Sequence, residues 1–128
     1  MAYFVRNQAG WNDMTRNPEG LIGSYFKRKG ILLEQLAKQQ VGKKTFALQR
    51  SINNKMWYGG AGFIVQVGSD NKIARLHHDG TKPHTILPKS AKTLRFNSHG
   101  KIVYAKVVHH PGTKPNKYLT DNLRKVIR

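Results

Sequence analysis

The hydrophobic pattern of the chain has a helical period over residues 17–40. Apolar residues recur there at spacings of three and four, as they do on one face of a helix. They are Leu21, Ile22, Tyr25, Phe26, Leu32, Leu33, Leu36 and Ala37. Asn17, Pro18 and Glu19 suit a helix start and Gly42 suits a stop. The pattern therefore predicts one long amphipathic helix that ends near Gln40.

The rest of the N-terminal half is less regular. Gly23 and Gly30 weaken the interior of the long helix, and Lys29 projects from the middle of its apolar face. We expect the Lys29 side chain to reach past its neighbours to water, or the helix to bend there. A weaker second helix is predicted from Thr45 to about Met56. Residues 1–16 carry aromatic residues without a period and are predicted to form an N-terminal arm, either extended or a short helix.

The pattern changes to short strands and turns after residue 62. Runs of β-branched and aromatic residues separated by Gly, Asn, Asp and Ser are typical of hairpins. The predicted elements are a hairpin of Phe63–Val67 with Ile73–His77, a second hairpin of Leu94–Phe96 with Ile102–Val108, and a short helix over Tyr118–Ile127. We therefore predict an α+β fold in which the long helix precedes an antiparallel sheet of about four strands and a short C-terminal helix. Residues 17–128 are predicted to form one domain.

The predicted strand from Ile102 to Val108 is apolar on both faces, and only Lys106 interrupts it. An antiparallel sheet with one face in water alternates polar and apolar residues. We therefore expect its second face to be covered, either by the long helix or by a neighbouring subunit.

Charge is the strongest compositional signal. The chain has 128 residues, 23 Lys and Arg against 6 Asp and Glu, and a net charge of +17. Such a field attracts polyanions or acidic protein surfaces. The cations that the long helix and its end are expected to present are Lys27, Arg28, Lys38, Lys43 and Lys44. Cysteine is absent, and the N-terminus predicts neither a secretory signal nor a membrane span, so we expect no disulfide and no membrane partner.

A ten-residue phrase occurs twice. HHDGTKPHTI begins at His77, and HHPGTKPNKY begins 32 residues later at His109; six of the ten positions are identical. Successive strand residues point to opposite faces, so neither His pair easily serves one metal ion, and no metal or other cofactor is predicted. Asp79 could orient the imidazole of His78, but no nucleophile is identifiable near it, and Thr81 is a candidate only by proximity. We therefore predict no enzymatic site.

A structural use of the repeat fits the residues better. Each copy is expected to end a strand in His-His, to turn at a glycine and to leave through a proline that fixes the exit direction. The two turns would then lie side by side at one edge of the sheet. We predict that they form an assembly rim, made by His77, His78, Gly80, Thr81, Lys82, Pro83, His109, His110, Gly112, Thr113, Lys114 and Pro115.

The sequence around the two copies resembles a family of small neck, head–tail connector or tail-completion proteins of long-tailed bacteriophages. Two motifs carry the resemblance. They comprise Gly80, Thr81, Pro83, His84, Ile86 and Pro88, then Val107, His110, Pro111, Gly112, Thr113, Pro115, Leu119 and Leu123. Tyr118 stands where the family usually has Phe. The resemblance covers roughly residues 45–128, whereas the first 16 residues match no pattern of the family.

The resemblance implies a non-enzymatic structural subunit at the virion head–tail junction, made in the host cytoplasm during assembly. It implies a homo-oligomeric ring, expected to be six-fold, or attachment to a ring of other joint or tail-tube proteins. No small-molecule substrate is expected. The charge could face genomic DNA, through phosphate contacts that read no sequence, or acidic partner proteins. The alternative function is a basic, sequence-nonspecific nucleic-acid-binding module.

Overall fold

The computed structural model describes residues 2–44 and 46–128, where it contains five helices and six strands. The helices are α1 (Gln8–Arg16), α2 (Leu21–Gln40), α3 (Ala47–Ser51), α4 (Ala74–Asp79) and α5 (Thr120–Val126). The strands are β1 (Ile52–Gly59), β2 (Gly62–Ser69), β3 (His84–Ile86), β4 (Leu94–Ser98), β5 (Lys101–Ala105) and β6 (Val108–His110). The predicted α+β class, long helix, antiparallel strands and short C-terminal helix are confirmed. Met1 of the predicted arm and Thr45, the predicted start of the second helix, lie outside the described residues.

The strands of the described residues form three separate antiparallel pairs: β1 with β2, β3 with β6, and β4 with β5. The predicted pairing of Phe63–Val67 with Ile73–His77 is wrong. β2 pairs instead with the strand that precedes it, through the two-residue turn Gly60-Ala61 between the paired Gly59 and Gly62. That strand begins inside the predicted second helix, at Ile52, and only the five residues of α3 are helical.

The predicted return strand Ile73–His77 forms most of α4 instead. Asn71 forms the turn that leads into this helix, because its carbonyl accepts from the N–H of Ala74 at 3.0 Å and its side-chain oxygen from that of Ile73 at 3.1 Å. Gly80 follows the helix with a φ of +76°, a conformation that favours glycine. The alternating pattern of so short a segment suits either a strand or a helix, and these two flanking residues favour the helix.

The N-terminal residues form a short segment without regular secondary structure, followed by a helix. Asn7 caps α1, because its side-chain oxygen accepts from the N–H of Gly10 at 3.0 Å. Asn17, predicted to start the long helix, ends α1 instead. A short turn follows it, and Leu21 is the first residue of α2. α1 packs against α2.

The buried face of α2 is narrower than predicted. Gly23, Gly30, Leu33 and Ala37 are buried, whereas the apolar residues Leu21, Tyr25 and Leu32 are exposed. The two glycines therefore belong to the packed face and do not merely weaken the helix. A Cβ on Gly30 would stand 2.7 Å from a methyl group of Val65, so the missing side chain lets α2 lie close to β2.

The core lies where the end of α2 meets α3, the start of β1, α4 and the chain just before α5. Its buried residues are Ala37, Val41, Leu48, Ile52, Ala74 and Tyr118. α5 packs along α2, and the Lys29 ammonium donates a hydrogen bond at 2.8 Å to the carbonyl of Val126. Carbonyls at a helix C-terminus lack partners within the helix, so this cation stabilises the end of α5. Lys29 thus lies among apolar residues because it caps a neighbouring helix.

The predicted strand Ile102–Val108 ends at Ala105 instead, because Val108 begins β6 and pairs with β3. The second predicted hairpin is otherwise confirmed, as β4 paired with β5. Its turn is His99-Gly100, with positive φ at both residues, as two-residue hairpin turns require. β4 and β5 contact mainly each other. The expectation that α2 covers the second face of this strand is wrong, because Ile102 and Tyr104 keep 54% and 64% of their surface exposed. Cover by a neighbouring subunit stays a prediction.

Candidate functional site

The two copies of the repeated phrase pair with each other. The backbone N–H of Thr81 donates to the carbonyl of Thr113 at 3.0 Å, and the N–H of Thr113 donates back to the carbonyl of Thr81 at 3.1 Å. Their hydroxyl oxygens lie 3.0 Å apart and form a third hydrogen bond. The copies therefore meet as an antiparallel bridge at equivalent positions, with a local two-fold symmetry.

The glycine of each copy makes this pairing possible. Gly80 and Gly112 have φ values of +76° and +85°, where other residues are strained. A Cβ on Gly80 would stand 2.6 Å from the carbonyl oxygen of Thr113, and a Cβ on Gly112 would collide with the carbonyl oxygen of Thr81. Glycine is thus required in each copy for two reasons, the positive φ of its own backbone and the close approach of the threonine carbonyl of the other copy.

The pairing extends along one side into β3 and β6. His84 lies opposite His110 in this antiparallel pair, and their rings stack with centroids 5.0 Å apart. The Nδ1 of His84 donates to the carbonyl of Lys82 at 2.8 Å, and the Nδ1 of His110 accepts from the N–H of Gly112 at 3.0 Å.

The His-His pair of the first copy is placed differently from the prediction. It lies at the end of α4 and not at the end of a strand, because the preceding residues are helical. The Nε2 of His77 accepts from the N–H of Gly42 at 3.1 Å, directly after α2. It also accepts from the side-chain amide of Asn116 at 3.3 Å. His77 therefore ties the first copy to the end of α2 and to the chain that leaves the second copy.

His78 and Asp79 form the hydrogen bond that the sequence suggested, at 2.7 Å between Nδ1 and Oδ1. This bond to His78 lowers the pKa of Asp79. The hydroxyl of Thr120 stands 3.4 Å from the other ring nitrogen of His78, whereas Thr81 is held by Thr113. An imidazole between a carboxylate and a hydroxyl has the order of a catalytic triad, but 3.4 Å is the long limit of a hydrogen bond. The network fastens α4 to α5.

The rings of His77 and His78 both pack against Tyr118, whose side chain is completely buried. Burial raises the pKa of the Tyr118 hydroxyl, which donates to the carbonyl of Ala74 at 3.4 Å. His77 and His78 are half-buried. These two members of the predicted rim therefore contribute to packing beneath it.

The exposed part of the predicted rim is smaller. Its exposed members are Lys82, Pro83, His109, Thr113, Lys114 and Pro115. Within the described residues, no group of three or more His, Asp or Glu side chains could hold a metal ion. None of the described helices is long and apolar enough to cross a membrane.

The predicted polyanion contacts on α2 and just after it fall into two groups, those with an ion pair and those without one in the described residues. Lys27 forms an ion pair with Glu19 at 2.9 Å. Lys38 forms one with Glu34 at 2.5 Å, and Asn54 also donates to the Glu34 carboxylate, so Lys38 is half-buried and serves the fold. The remaining members, Arg28, Lys43 and Lys44, are exposed, and none has an ion pair within the described residues.

The residue at this site that sequence reasoning undervalued is Asn116. Its side-chain amide donates to the carbonyl of Gln40 at 3.1 Å and its oxygen accepts from the Gln40 side chain at 3.1 Å, while its backbone N–H donates to His77. Its place as the eighth residue of the second copy, where the first copy has His84, was the available signal.

No protein-family model matches the chain, and neither the curated proteins nor the solved structures contain a significant match to it. The function is therefore inferred from the residues of the chain itself.

Proposed function

We propose that the chain is a non-enzymatic structural subunit of the bacteriophage head–tail joint, a neck or tail-completion protein. Its accessible surface carries the proposal. The isolated chain exposes 10401 Å², whereas a folded monomer of this mass exposes about 6,900 Å². The excess of about 3,500 Å² is roughly four times what one partner buries in a standard interface. An excess of this size is what a subunit buries against several neighbours when it assembles.

The exposed surface is also unusually apolar for a monomer. Eight apolar residues of the described chain are buried, while large apolar side chains are exposed on nearly every element. Those on the N-terminal segment, α2 and the second hairpin are Tyr3, Phe4, Val5, Leu21, Tyr25, Ile31, Leu32, Phe96, Ile102 and Tyr104. Exposed apolar surface on this scale is typical of protein–protein contact sites. A ring subunit has at least two such contacts, one with each neighbour.

The resemblance of the two motifs to phage joint proteins supports this role among the possible assembling subunits. The resemblance rests on the GTKP copies, and in this chain those copies pair around Thr81 and Thr113. Partners would be further copies in a ring and other joint or tail-tube proteins, within the virion and, before that, the host cytoplasm. Genomic DNA passing through the joint would be a further contact.

Light scattering on a sizing column tests the proposal, with the purified chain alone and mixed with assembled heads or tails. A closed oligomer, or capture by one type of particle, is the expected result. Capture by heads would assign the chain to head closure, and capture by tails to tail completion. A monomer that binds neither particle over a concentration series would overturn the proposal.

A further inference from the structure

The positive charge of the chain is concentrated in one segment. No Asp or Glu occurs between Asp79 and Asp121. Residues 80–120 carry eight cations, which are Lys82, Lys89, Lys92, Arg95, Lys101, Lys106, Lys114 and Lys117. The segment therefore has a charge of +8, whereas residues 1–79 mix twelve cations with five acids. Charges of one sign over so long a stretch create a local field that attracts polyanions.

The structure leaves all eight of these cations available. Each is exposed, and within the described residues none forms an ion pair or donates a side-chain hydrogen bond. Lys27 and Lys38 on α2 differ, because glutamates neutralise them at 2.9 and 2.5 Å. All eight cations of residues 80–120 are thus free within the described residues, whereas two of the cations on the long helix are neutralised.

Four of these eight cations lie on the β4–β5 hairpin or close beside it. Its paired strands of five residues extend about 17 Å and contact mainly each other. Arg95 lies opposite the exposed Tyr104, Lys101 follows the turn, and Lys92 and Lys106 flank the two strands. A two-stranded ribbon of this kind fits the major groove of B-form DNA, which is about 12 Å wide.

We propose that the β4–β5 hairpin and its acid-free flanks bind the phosphate backbone of duplex DNA. Protein–protein interfaces are depleted in lysine, whereas protein–DNA interfaces are strongly positive. Seven of the eight cations are lysines, which meet phosphates as point charges and lack the fork with which arginine reads guanine. Binding is therefore independent of sequence and steeply dependent on salt. This site goes beyond the proposed assembly function and would operate in a monomer.

Two variants of equal net charge test the location. The hairpin variant carries Lys92→Gln, Arg95→Gln, Lys101→Gln and Lys106→Gln. The control variant carries Arg28→Gln, Lys43→Gln, Lys44→Gln and Lys55→Gln, which are also exposed and free of ion pairs in the described residues. Each set lowers the charge from +17 to +13. The measurement is fluorescence anisotropy of a labelled random duplex of about 25 base pairs, between roughly 50 and 200 mM salt.

The full chain is expected to bind, with log Kd linear in log salt. The hairpin variant should lose at least about tenfold in affinity at the lowest salt, and its slope should fall by up to about 0.9 for each lost phosphate contact. The control variant should lose several-fold less. Equal losses in the two variants, or a full chain that ignores the duplex at low salt, would overturn the proposal. So would polyglutamate that competes as well as unlabelled duplex, because the site would then suit an acidic protein.

Discussion

Thr81 and Thr113 exchange both of their backbone hydrogen bonds, although they lie 32 positions apart in the chain. They hold the same position in the two copies of the repeated phrase. The phrase occurs twice because each copy is the pairing partner of the other, and the glycine before each threonine leaves room for the opposing carbonyl.

Replacing Gly112 by alanine should destabilise the fold by about 2–4 kcal/mol. A positive φ costs a residue with a Cβ about 1–2 kcal/mol, and the collision with the Thr81 carbonyl adds to it. Gly100→Ala is the matched control, because Gly100 has a φ of +81° but open space around it. Denaturant unfolding measures the difference. If Gly112→Ala costs no more than Gly100→Ala, the close approach of the two copies is not as described.

Lys29→Met should lower the free energy of unfolding by about 1–2 kcal/mol. The methionine keeps the apolar stem but removes the cation that caps the Val126 carbonyl. Lys27→Met removes an exposed ion pair with Glu19 and should change stability by less than about 0.5 kcal/mol. Urea unfolding of both variants separates the two roles. Similar losses would contradict the capping role of Lys29.

Glu34 should contribute to the acid sensitivity of the fold. The hydrogen bond from Lys38 holds the pKa of Glu34 below its usual value, with a smaller contribution from Asn54. A depressed pKa stabilises the folded state above the unfolded pKa, near 4.5, and this stabilisation is lost as the pH falls through the folded value. Glu34→Gln should therefore be less stable than the native chain at pH 7, with the gap narrowing below about pH 4.5.

Thermal unfolding across pH 3–7 measures this gap. Glu19→Gln provides the control, because the Glu19 side chain is 74% exposed while that of Glu34 is 19% exposed. The control should stay close to the native chain at each pH. A gap between Glu34→Gln and the native chain that is constant with pH would contradict the ionic role of Glu34.

Tyr118→Phe should cost less than about 1 kcal/mol, because the hydroxyl makes only a long hydrogen bond to Ala74. Tyr118→Ala, which empties a completely buried site, should cost about 3–5 kcal/mol.

Burial raises the pKa of Tyr118, so its stabilising effect is complete below pH 10 and is lost as the pH rises through the folded value. Tyr118→Phe should therefore lose less stability than the native chain above pH 10, and parallel alkaline unfolding curves would argue against this.

Leu32→Gln should block assembly without unfolding the chain. Leu32 is exposed on α2, so its replacement should change stability by less than about 0.5 kcal/mol while removing apolar contact area. Gln35→Ala, exposed on the same helix, should affect neither property. Particle capture and thermal unfolding check the two halves of this prediction. Undiminished capture of Leu32→Gln would exclude this face of α2 from the interface.

The elements that sequence reasoning found are those with local signals. α2 has a sustained helical period, the β4–β5 hairpin has its turn residues, and α5 has apolar residues on one side. β1 was missed because Asn53 and Asn54 are poor strand formers, so its pairing with β2 decides its conformation. The sequence could not show which half of the predicted apolar face on α2 is exposed. The buried half is determined by the close approach of Gly30 to Val65 in β2.

The candidate site was predicted in part. Both GTKP turns do come together, as the repeat suggested, but their antiparallel pairing depends on contacts across 32 positions. Lys27 and Lys38 were expected to be free cations, but each pairs with a glutamate. The helical spacing of four residues could have revealed the partner of Lys38, whereas spacing does not reveal that of Lys27. Counting acids along the chain, and not only in total, would have indicated residues 80–120 directly.

The Thr81–Thr113 bridge also makes the segment between its ends a module. The chain enters and leaves that segment at a single point, and β4 and β5 contact mainly each other. Changing the length of such a closed loop is inexpensive, since each doubling costs only about 0.6 kcal/mol in closure entropy. The hairpin can therefore be shortened, lengthened or exchanged while the core around Tyr118 stays intact. Related chains would be free to vary their reach and charge here while keeping one scaffold.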